Sequence, residues 1–236
     1  MELSTYIELP TDHPRLAGRI AVVRRRAFAV GIDVGQAHDP TAIAVVAKIT
    51  TETVNPNLRH ANPEPHPRYE VPHLERLRLG MPYPAQVDAI EAMLSRPPLR
   101  RLSPRVLVDY TGVGRPVFDM FAGRHALRRA QGVVITGGRE ATRHGPGWSV
   151  PKGDLVSKLQ ALLHAGELRI AASLPDAAVL MRELQDFRVR YSDAGNATFS
   201  AREGAHDDLV LALALAVFGL SRPEPATDVP WYWERR

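Results

Sequence analysis

Residues 28–46 read FAVGIDVGQAHDPTAIAVV and predict two apolar strands joined by a tight turn. The first strand carries one acid, Asp33, inside an otherwise apolar run. A strand that is buried on both faces is normally apolar throughout, and a buried carboxylate costs free energy unless charge or hydrogen bonds compensate for it. Asp33 is therefore either an anomaly or the functional reason for the strand, and the rest of the chain must supply its partners.

The composition is that of an ordinary globular chain of 236 residues, with 44% hydrophobic and 24% charged residues. The longest apolar run, 209–220, is too short to cross a bilayer and reads as a buried helix, so we expect no membrane partner. The absence of cysteine excludes disulfides, cysteine-ligated zinc and thiol catalysis. The net charge of +4 permits an anionic partner such as nucleic acid, although a solvated basic surface explains it equally well.

The order of the predicted elements indicates an α/β fold. Predicted strands cover 27–34, 41–49, 69–79, 105–109, 133–135 and 168–170, a predicted hairpin joins 187–191 to 198–201, and predicted helices cover 84–95, 116–122, 151–165, 175–186 and 207–220. The first three strands suit an antiparallel meander, and the strand–helix units that follow add parallel strands. We therefore expect a mixed sheet flanked by helices on both faces, with an extra β-hairpin. Residues 1–26 read as an N-terminal extension, 27–220 as one domain and 221–236 as a C-terminal tail.

Three further acids are placed to meet Asp33. Asp109 ends the fourth predicted strand, and Asp207 and Asp208 open the last predicted helix. If the fourth strand lies beside the first, and the last helix packs across both, all these carboxylates reach one edge of the sheet. Each acid has a simpler explanation when it is taken alone, since Asp is common in turns and at helix starts. Their joint placement predicts a shared site.

A cluster of carboxylates points to metal chemistry. Carboxylates held together repel each other, which raises their pKa values, and a bound divalent cation removes that penalty. Oxygen ligands in a chain without cysteine favour Mg²⁺ or Mn²⁺ over zinc. Two such ions roughly 3.5–4 Å apart can activate a water and stabilise the leaving oxygen of a phosphodiester. The acids therefore predict a site for divalent cations, and a pair of ions there would suit hydrolysis of a phosphodiester.

Four motifs carry a resemblance to a known family: GIDVG at 31–35, VLVD at 106–109, PKGDLV at 151–156 and HDDLV at 206–210. In this order they resemble the C-terminal nuclease domain of tailed-phage large terminases, over about residues 27–220. That family has an RNase H-like fold related to Holliday-junction resolvases. The resemblance implies that Asp33, Asp109 and Asp208 are catalytic metal ligands and that Asp207 is a neighbouring acid of the same site.

The resemblance also implies a substrate and partners. It implies an endonuclease that uses Mg²⁺ or Mn²⁺ to cut concatemeric double-stranded viral DNA during packaging, leaving 3′-hydroxyl and 5′-phosphate ends. The implied partners are a packaging ATPase domain, the small terminase and the portal, in the cytoplasm of the bacterial host cell. The chain has no Gly-x-x-x-x-Gly-Lys-Ser/Thr motif, so translocation is not expected of it. It reads as the nuclease domain of a longer protein or as a free-standing relative.

Basic side chains near the proposed site are candidate DNA contacts. They are Lys152 in the PKGDLV motif, Lys158 on the same predicted helix, Arg115 after the fourth strand, and Arg139 and Arg143 in a predicted Gly-rich loop at 137–147. Asp39, which precedes Pro40, reads as a turn residue. His206 reads either as a helix cap or as a contact to the metal site or the scissile phosphate.

Three other interpretations stay open. A junction resolvase would share the fold and the acids. An actin-like or sugar-kinase ATPase would need a second phosphate-binding glycine motif, for which DYTGVG at 109–114 is a partial candidate, and it would not need the Asp–Asp helix start. A DNA-binding module without nuclease activity would not need the complete set of acids.

Overall fold

The computed structural model describes residues 6–8, 21–54, 61–63, 66–112, 114–138, 140–145, 147–186, 188–191, 197–200 and 206–222. Within these residues the strands are β1 (Tyr6–Glu8), β2 (Ala21–Asp33), β3 (Ala42–Val54), β4 (Ala61–Pro63), β5 (Arg68–Arg76), β6 (Arg105–Asp109), β7 (Gln131–Thr136), β8 (Thr142–His144), β9 (Gly147–Pro151), β10 (Leu168–Ile170), β11 (Arg188–Tyr191) and β12 (Ala197–Ser200). The helices are α1 (Tyr83–Leu94), α2 (Leu99–Leu102), α3 (Gly114–Asp119), α4 (Lys152–His164), α5 (Ala177–Asp186) and α6 (Asp208–Ser221), with a 3₁₀ helix at Met120–Gly123. No helix in the described part of the chain is long and apolar enough to span a membrane.

One mixed sheet of ten strands organises the fold. Its main path is β10-β5-β3-β2-β6-β7-β9-β8, and β1 and β4 add to β2 and β3. Strands β2, β3 and β5 form an antiparallel meander, while β6, β7 and β9 continue the sheet parallel to β2. Strands β11 and β12 form a separate hairpin. The predicted mixed sheet, with its meander, its parallel strands and its extra hairpin, is confirmed.

Strand β2 lies at the centre of the sheet, and its side chains alternate between two cores. Ala29 belongs to the core shared with α4 and α6, whereas Val30 and Ile32 belong to the core covered by α1 and α3. Helix α6 crosses the first of these faces, and its residues 208–220 are all buried. A strand covered by helices on both faces has no solvent side, which explains the continuous apolar run around Asp33.

Gly31 allows α6 to approach β2 closely. A Cβ atom added at Gly31 would lie 1.9 Å from the carbonyl oxygen of Ala212 and 2.6 Å from the backbone nitrogen of Ala216. Because these are backbone atoms of a buried helix, we expect Gly31→Ala to lower the free energy of unfolding by about 3 kcal/mol. Chemical denaturation measures this, with Gly137→Ala as the control because a Cβ there meets nothing within 4 Å. Equal stability of the two variants would contradict the prediction.

The β2–β3 hairpin is longer than the sequence predicts. The two strands pair without interruption from Asp33 opposite Ala42 to Ala21 opposite Val54. The predicted strands were shorter, 27–34 and 41–49, because three arginines at 24–26 break the apolar pattern. Apolar periodicity reports burial, whereas a strand ladder needs only backbone hydrogen bonds, so the pattern missed the outer part of the hairpin.

The prediction of an irregular loop at 137–147 is wrong. It contains β8, which pairs antiparallel with β9, and Gly145 turns the chain between them at a φ of +55°. Strand β9 also runs parallel to β7, and α4 therefore begins at Lys152, after the strand ends. Strand β8 is exposed along its whole length at the sheet edge, so it shows no apolar signal.

The predicted domain limits stay predictions. Strand β1 and the first residues of β2 fall within the predicted extension, 1–26. Residues 223–236 of the predicted tail lie outside the described residues.

Candidate active site

Asp33 and Asp109 end the neighbouring parallel strands β2 and β6. The register pairs Ile32 with Val108, so both acids follow at the same edge of the sheet. Their carboxyl groups are in hydrogen-bonding contact. The structure thus places the first and fourth predicted strands side by side, as the sequence requires for a shared site, and it brings these two acids together.

Helix α6 carries the other two acids to this edge. Asp208 is its first residue and is only 6% exposed, and Asp207 is the residue before the helix. Charge repulsion from both acids contributes to raising the pKa of Asp33. The crossing of α6 over β2 at Gly31 therefore brings Asp207 and Asp208 to the same edge of the sheet as Asp33 and Asp109, and these four acids are called the acid cluster below.

Burial and repulsion raise the pKa values of three of these acids, Asp33, Asp109 and Asp208. The pKa of Asp33 is raised well above its usual range, first by burial and then by repulsion from the three neighbouring acids. Burial also raises the pKa of Asp109, against a hydrogen bond of 2.8 Å that its carboxylate accepts from the Thr111 N–H. Burial, followed by repulsion from Asp39, raises the pKa of Asp208 to about 6. Ionising the cluster therefore costs free energy unless a cation is present.

Lys152 is the cation that the chain itself places in the cluster. Its Nζ donates a hydrogen bond of 2.6 Å to Oδ2 of Asp207. Its charge also lowers the pKa of Asp33 and of Asp109, against the stronger effect of burial. Lys152 begins α4 directly after β9, so the sheet fixes its position. Its predicted contact with DNA stays a prediction, and the structure adds a second role, which is to offset repulsion among the acids.

Asp39 and His206 lie beside Asp208, whereas the sequence predicts Asp39 as a turn residue only. His206 Nδ1 lies 2.6 Å from Oδ1 of Asp39 and 3.9 Å from Oδ2 of Asp208. One ligand atom from each of the three residues lies within 4.8 Å of the others, a spacing that could hold a metal ion. The available signal was that Asp39 follows Asp33 in the turn after β2, which puts it at the same sheet edge.

The turn that carries Asp39 is held by a buried polar network. Thr41 Oγ1 accepts a hydrogen bond of 3.0 Å from the Gly35 N–H and donates one of 2.6 Å to Gln86 Oε1. Gln86 Nε2 in turn donates to the Gly35 carbonyl at 2.9 Å. Gly35 is required here because a Cβ would lie 2.0 Å from the carbonyl oxygen of Asp39. Helix α1, which carries Gln86, thereby fixes one wall of the site.

Glu183 on α5 is a second residue that the sequence analysis did not single out. It is 5% exposed, and its Oε2 accepts hydrogen bonds from the backbone N–H groups of Leu209 and Val210. Burial raises its pKa to about 7. A signal was present, because Ala177, Leu180 and Glu183 recur at helical spacing on the buried face of α5.

The predicted DNA contacts lie in different parts of the structure. Arg115 is exposed at the start of α3 and stacks on the ring of Tyr110, directly after Asp109. Arg143 instead stacks on Trp148, which packs against Phe218 near the other end of α6 from the acids. Lys158 is exposed on α4, six residues after the half-buried Lys152, and Arg139 lies outside the described residues.

The donor set fits a divalent cation. It consists of carboxylate oxygens and one imidazole nitrogen, and hard cations such as Mg²⁺ and Mn²⁺ prefer oxygen ligands. Oδ2 of Asp208 is buried and has no hydrogen-bond partner among the described residues. An unsatisfied buried carboxylate oxygen beside further acids needs a positive partner. Asp39, His206 and Asp208 are described residues whose ligand atoms lie close enough together to hold such an ion, and the metal-binding roles of Asp33 and Asp109 stay predictions.

No protein-family model matches the chain, and no curated protein sequence matches it. Solved structures do match. The large terminase nuclease from thermophilic phage G20c with bound magnesium is 21% identical with a TM-score of 0.52, and the match covers 89% of this chain and 90% of that one. The chain has the fold of a large terminase nuclease domain.

Two further structures of the G20c nuclease extend the comparison. The form with bound cobalt gives the same identity, TM-score and coverage as the magnesium form. Another structure is 20% identical with a TM-score of 0.50, and the match covers 90% of this chain and 92% of that one. The likeness confirms the predicted RNase H-like fold, and the G20c nuclease binds magnesium and cobalt.

Proposed function

We propose that the chain is a metal-dependent DNA endonuclease of the large terminase kind, which hydrolyses phosphodiester bonds of concatemeric viral DNA during genome packaging. The observation that carries this proposal is the convergence of Asp33, Asp109, Asp207 and Asp208 at one edge of the sheet. Four buried or half-buried acids have no structural advantage there, since their repulsion is unfavourable in the absence of a cation. The terminase nuclease fold supports the same conclusion.

The chain's own residues hold and tune the proposed centre. Strands β2 and β6 fix the backbones of Asp33 and Asp109, and the start of α6 fixes Asp208. These acids would hold one divalent cation or a pair of them, which would supply Lewis-acid stabilisation to the phosphodiester and would help to activate the attacking water. Lys152, through its hydrogen bond to Asp207, keeps part of the negative charge balanced.

Duplex DNA is the proposed substrate. Arg115 is exposed and stacks on the ring of Tyr110, the residue after Asp109, so it is a basic side chain well placed to meet a phosphate near the acids. Lys152 contributes a second positive charge inside the site. Lys158 and Arg143 are proposed as more distant contacts, and Arg139 is proposed as a contact on the sequence alone. The proposed partners are a packaging ATPase domain, the small terminase and the portal, and the proposed location is the host cytoplasm.

Plasmid cleavage tests the proposal. We expect supercoiled plasmid to be nicked and linearised with Mg²⁺ or Mn²⁺ and to stay intact in EDTA. Asp109→Asn and Asp208→Asn should each reduce the rate roughly 10²–10³-fold, because each removes a charge that stabilises the transition state through the metal. Asp119→Asn, at an exposed position at the end of α3, is the matched control and should cleave like the wild type. Undiminished cleavage in EDTA would refute the metal dependence.

The same assay separates the alternative interpretations. A four-way junction offered together with the plasmid would be cleaved first by a junction resolvase, which would overturn the terminase assignment. Thermal stabilisation by ATP, without any cleavage, would favour the actin-like interpretation. DNA binding without cleavage under any metal would favour a binding module.

A further inference from the structure

Glu183 is a buried acid that the proposed metal centre does not use as a ligand. It lies on α5 and is 5% exposed. In the described part of the chain the buried polar or charged residues are Thr41, Gln86, Glu183 and Asp208. Thr41 and Gln86 hold the turn after β2, and Asp208 belongs to the acid cluster, so Glu183 also calls for an explanation. A buried carboxylate is costly unless hydrogen bonds satisfy it.

The hydrogen bonds of Glu183 go to the start of α6. Its Oε2 accepts from the N–H of Leu209 at 2.9 Å and from the N–H of Val210 at 3.1 Å. The first N–H groups of a helix have no partner within the helix, and a negative charge beside them is favourable. Glu183 therefore satisfies two of these groups from another helix, 26 residues away in the chain.

The side chain of Asp207, the residue before α6, does not cap the helix, so Glu183 provides the acceptor for the first N–H groups. Asp207 occupies the N-cap position, but its side chain makes no capping hydrogen bond. Its carboxylate is instead held by Lys152 at 2.6 Å. If Asp207 capped the helix, its carboxylate would turn away from Lys152. Asp207 therefore stays among the acids of the site, and Glu183 accepts the hydrogen bonds from the start of α6.

The two N–H groups bonded to Glu183 directly follow Asp208 in the chain. Their hydrogen bonds therefore fix the backbone on which Asp208 stands. Oε1 of Glu183 and Oδ2 of Asp208 are both buried without a hydrogen-bond partner among the described residues. Oδ2 of Asp208 lies 3.9 Å from Nδ1 of His206, in the group that could hold a metal ion, and its position depends on the first turn of α6.

We propose that Glu183 is a positioning residue, which holds the first turn of α6 so that Asp208 presents its carboxylate to a divalent cation. This inference rests on the proposed function, since it assigns Asp208 to a metal site. It assigns Glu183 no contact with the metal or with DNA. It explains why an acid occupies a helix face that otherwise carries Ala177 and Leu180.

Metal binding measured without catalysis tests the inference. The probe is Mn²⁺, titrated into the full chain and followed by the electron paramagnetic resonance signal of the free ion. Glu183→Met keeps the length of the side chain but offers no oxygen to the two N–H groups, and we expect it to weaken Mn²⁺ binding at least about tenfold. Glu183→Gln keeps one carbonyl oxygen as an acceptor, and we expect binding within about threefold of the wild type.

Leu180→Ala is the matched control for a merely structural effect. Leu180 lies one turn earlier on the same face of α5 and is fully buried, but it has no polar atom to bond to α6. We expect it to lower the melting temperature and to leave the Mn²⁺ affinity unchanged. If it weakens Mn²⁺ binding as much as Glu183→Met does, Glu183 has no specific role and the inference fails.

Other outcomes separate this inference from the proposed function. If the wild type cleaves DNA and binds Mn²⁺ while Glu183→Met binds equally well, the inference fails and the proposed function stands. If the wild type neither binds Mn²⁺ nor cleaves DNA, both fail. If Glu183→Met does not fold, Glu183→Asp replaces it, because its shorter side chain cannot reach both N–H groups. Binding by Glu183→Asp equal to that of Glu183→Gln would then overturn the inference.

Discussion

Asp33→Asn is expected to abolish DNA cleavage and, at the same time, to stabilise the metal-free protein. The carboxylate is held at the end of β2, where burial and three neighbouring acids raise its pKa well above the usual range. Asparagine has nearly the same shape and carries no charge, so it removes the repulsion without leaving a cavity. It also removes a metal ligand, and we expect the cleavage rate to fall roughly 10²–10³-fold or more.

The stability effect is the more diagnostic part of this prediction. At pH 8 in EDTA the wild type must either ionise Asp33 beside other acids or hold a proton against the bulk pH, and both cost free energy. Removing about 1 kcal/mol of this cost raises the melting temperature of a chain of this size by roughly 2–4 °C. Differential scanning fluorimetry in EDTA measures it, with Asp119→Asn as the control that should change neither property. A lower melting temperature for Asp33→Asn would mean that Asp33 stabilises the fold and would count against its role as a metal ligand.

The central part of the site could be predicted because it depends on topology. Asp33 and Asp109 end strands, and parallel neighbours bring their carboxyl ends to one edge of a sheet. Asp208 could be added because a long apolar helix has to cross that sheet to be buried. These inferences need only element types and their order, which apolar periodicity supplies.

The remainder of the site depends on contacts that periodicity does not encode. His206 meets Asp39 across 167 residues, and Glu183 meets α6 across 26. The pairing of Lys152 with Asp207 spans 55 residues and depends on how α4 and α6 pack. Each contact follows from side-chain geometry where two elements pack together, and the pattern of apolar residues along the chain does not predict such geometry.

Apolar periodicity does not predict the parts of the sheet in which strand residues are polar or exposed. The arginines at 24–26 lie in the central strand β2, and the predicted loop at 137–147 contains the edge strand β8, because backbone hydrogen bonds hold a strand whether or not its side chains are apolar. The apolar stretch from Phe28 to Val34, which must be buried on both faces, was placed correctly. The same requirement makes the charge on Asp33 informative.

The metal-free protein is expected to lose stability as the pH rises from about 4 to 8, and divalent metal is expected to reverse this loss. The folded-state pKa of Asp208 is raised from 3.8 to about 6, and that of Glu183 from 4.5 to about 7. The pKa values of Asp33 and Asp109 are raised as well. A carboxyl group with a raised folded-state pKa binds more protons in the folded than in the unfolded protein. Its contribution to the free energy of unfolding is therefore greatest below the unfolded-state pKa, and it is lost as the pH rises through the folded-state pKa. One pKa unit corresponds to about 1.4 kcal/mol, so Asp208 alone accounts for roughly 3 kcal/mol of this loss.

Melting temperatures measured from pH 4 to 8, in EDTA and in MgCl₂, test the sign of this linkage. The stabilisation by Mg²⁺ should be small near pH 5, where protons occupy the carboxyl groups, and should grow towards pH 8, because only the ionised cluster binds the metal. The net charge of the chain also changes over this pH range. The double variant Asp33→Asn/Asp208→Asn controls for this change, because the variant keeps the other titrating groups but lacks two of the acids whose pKa is raised. Its melting temperature in EDTA should fall less with pH than that of the wild type and should not respond to Mg²⁺. A wild type that becomes more stable from pH 5 to 8 relative to this variant would contradict the prediction, because it would mean that the acids are stabilised as anions by the fold itself and need no metal.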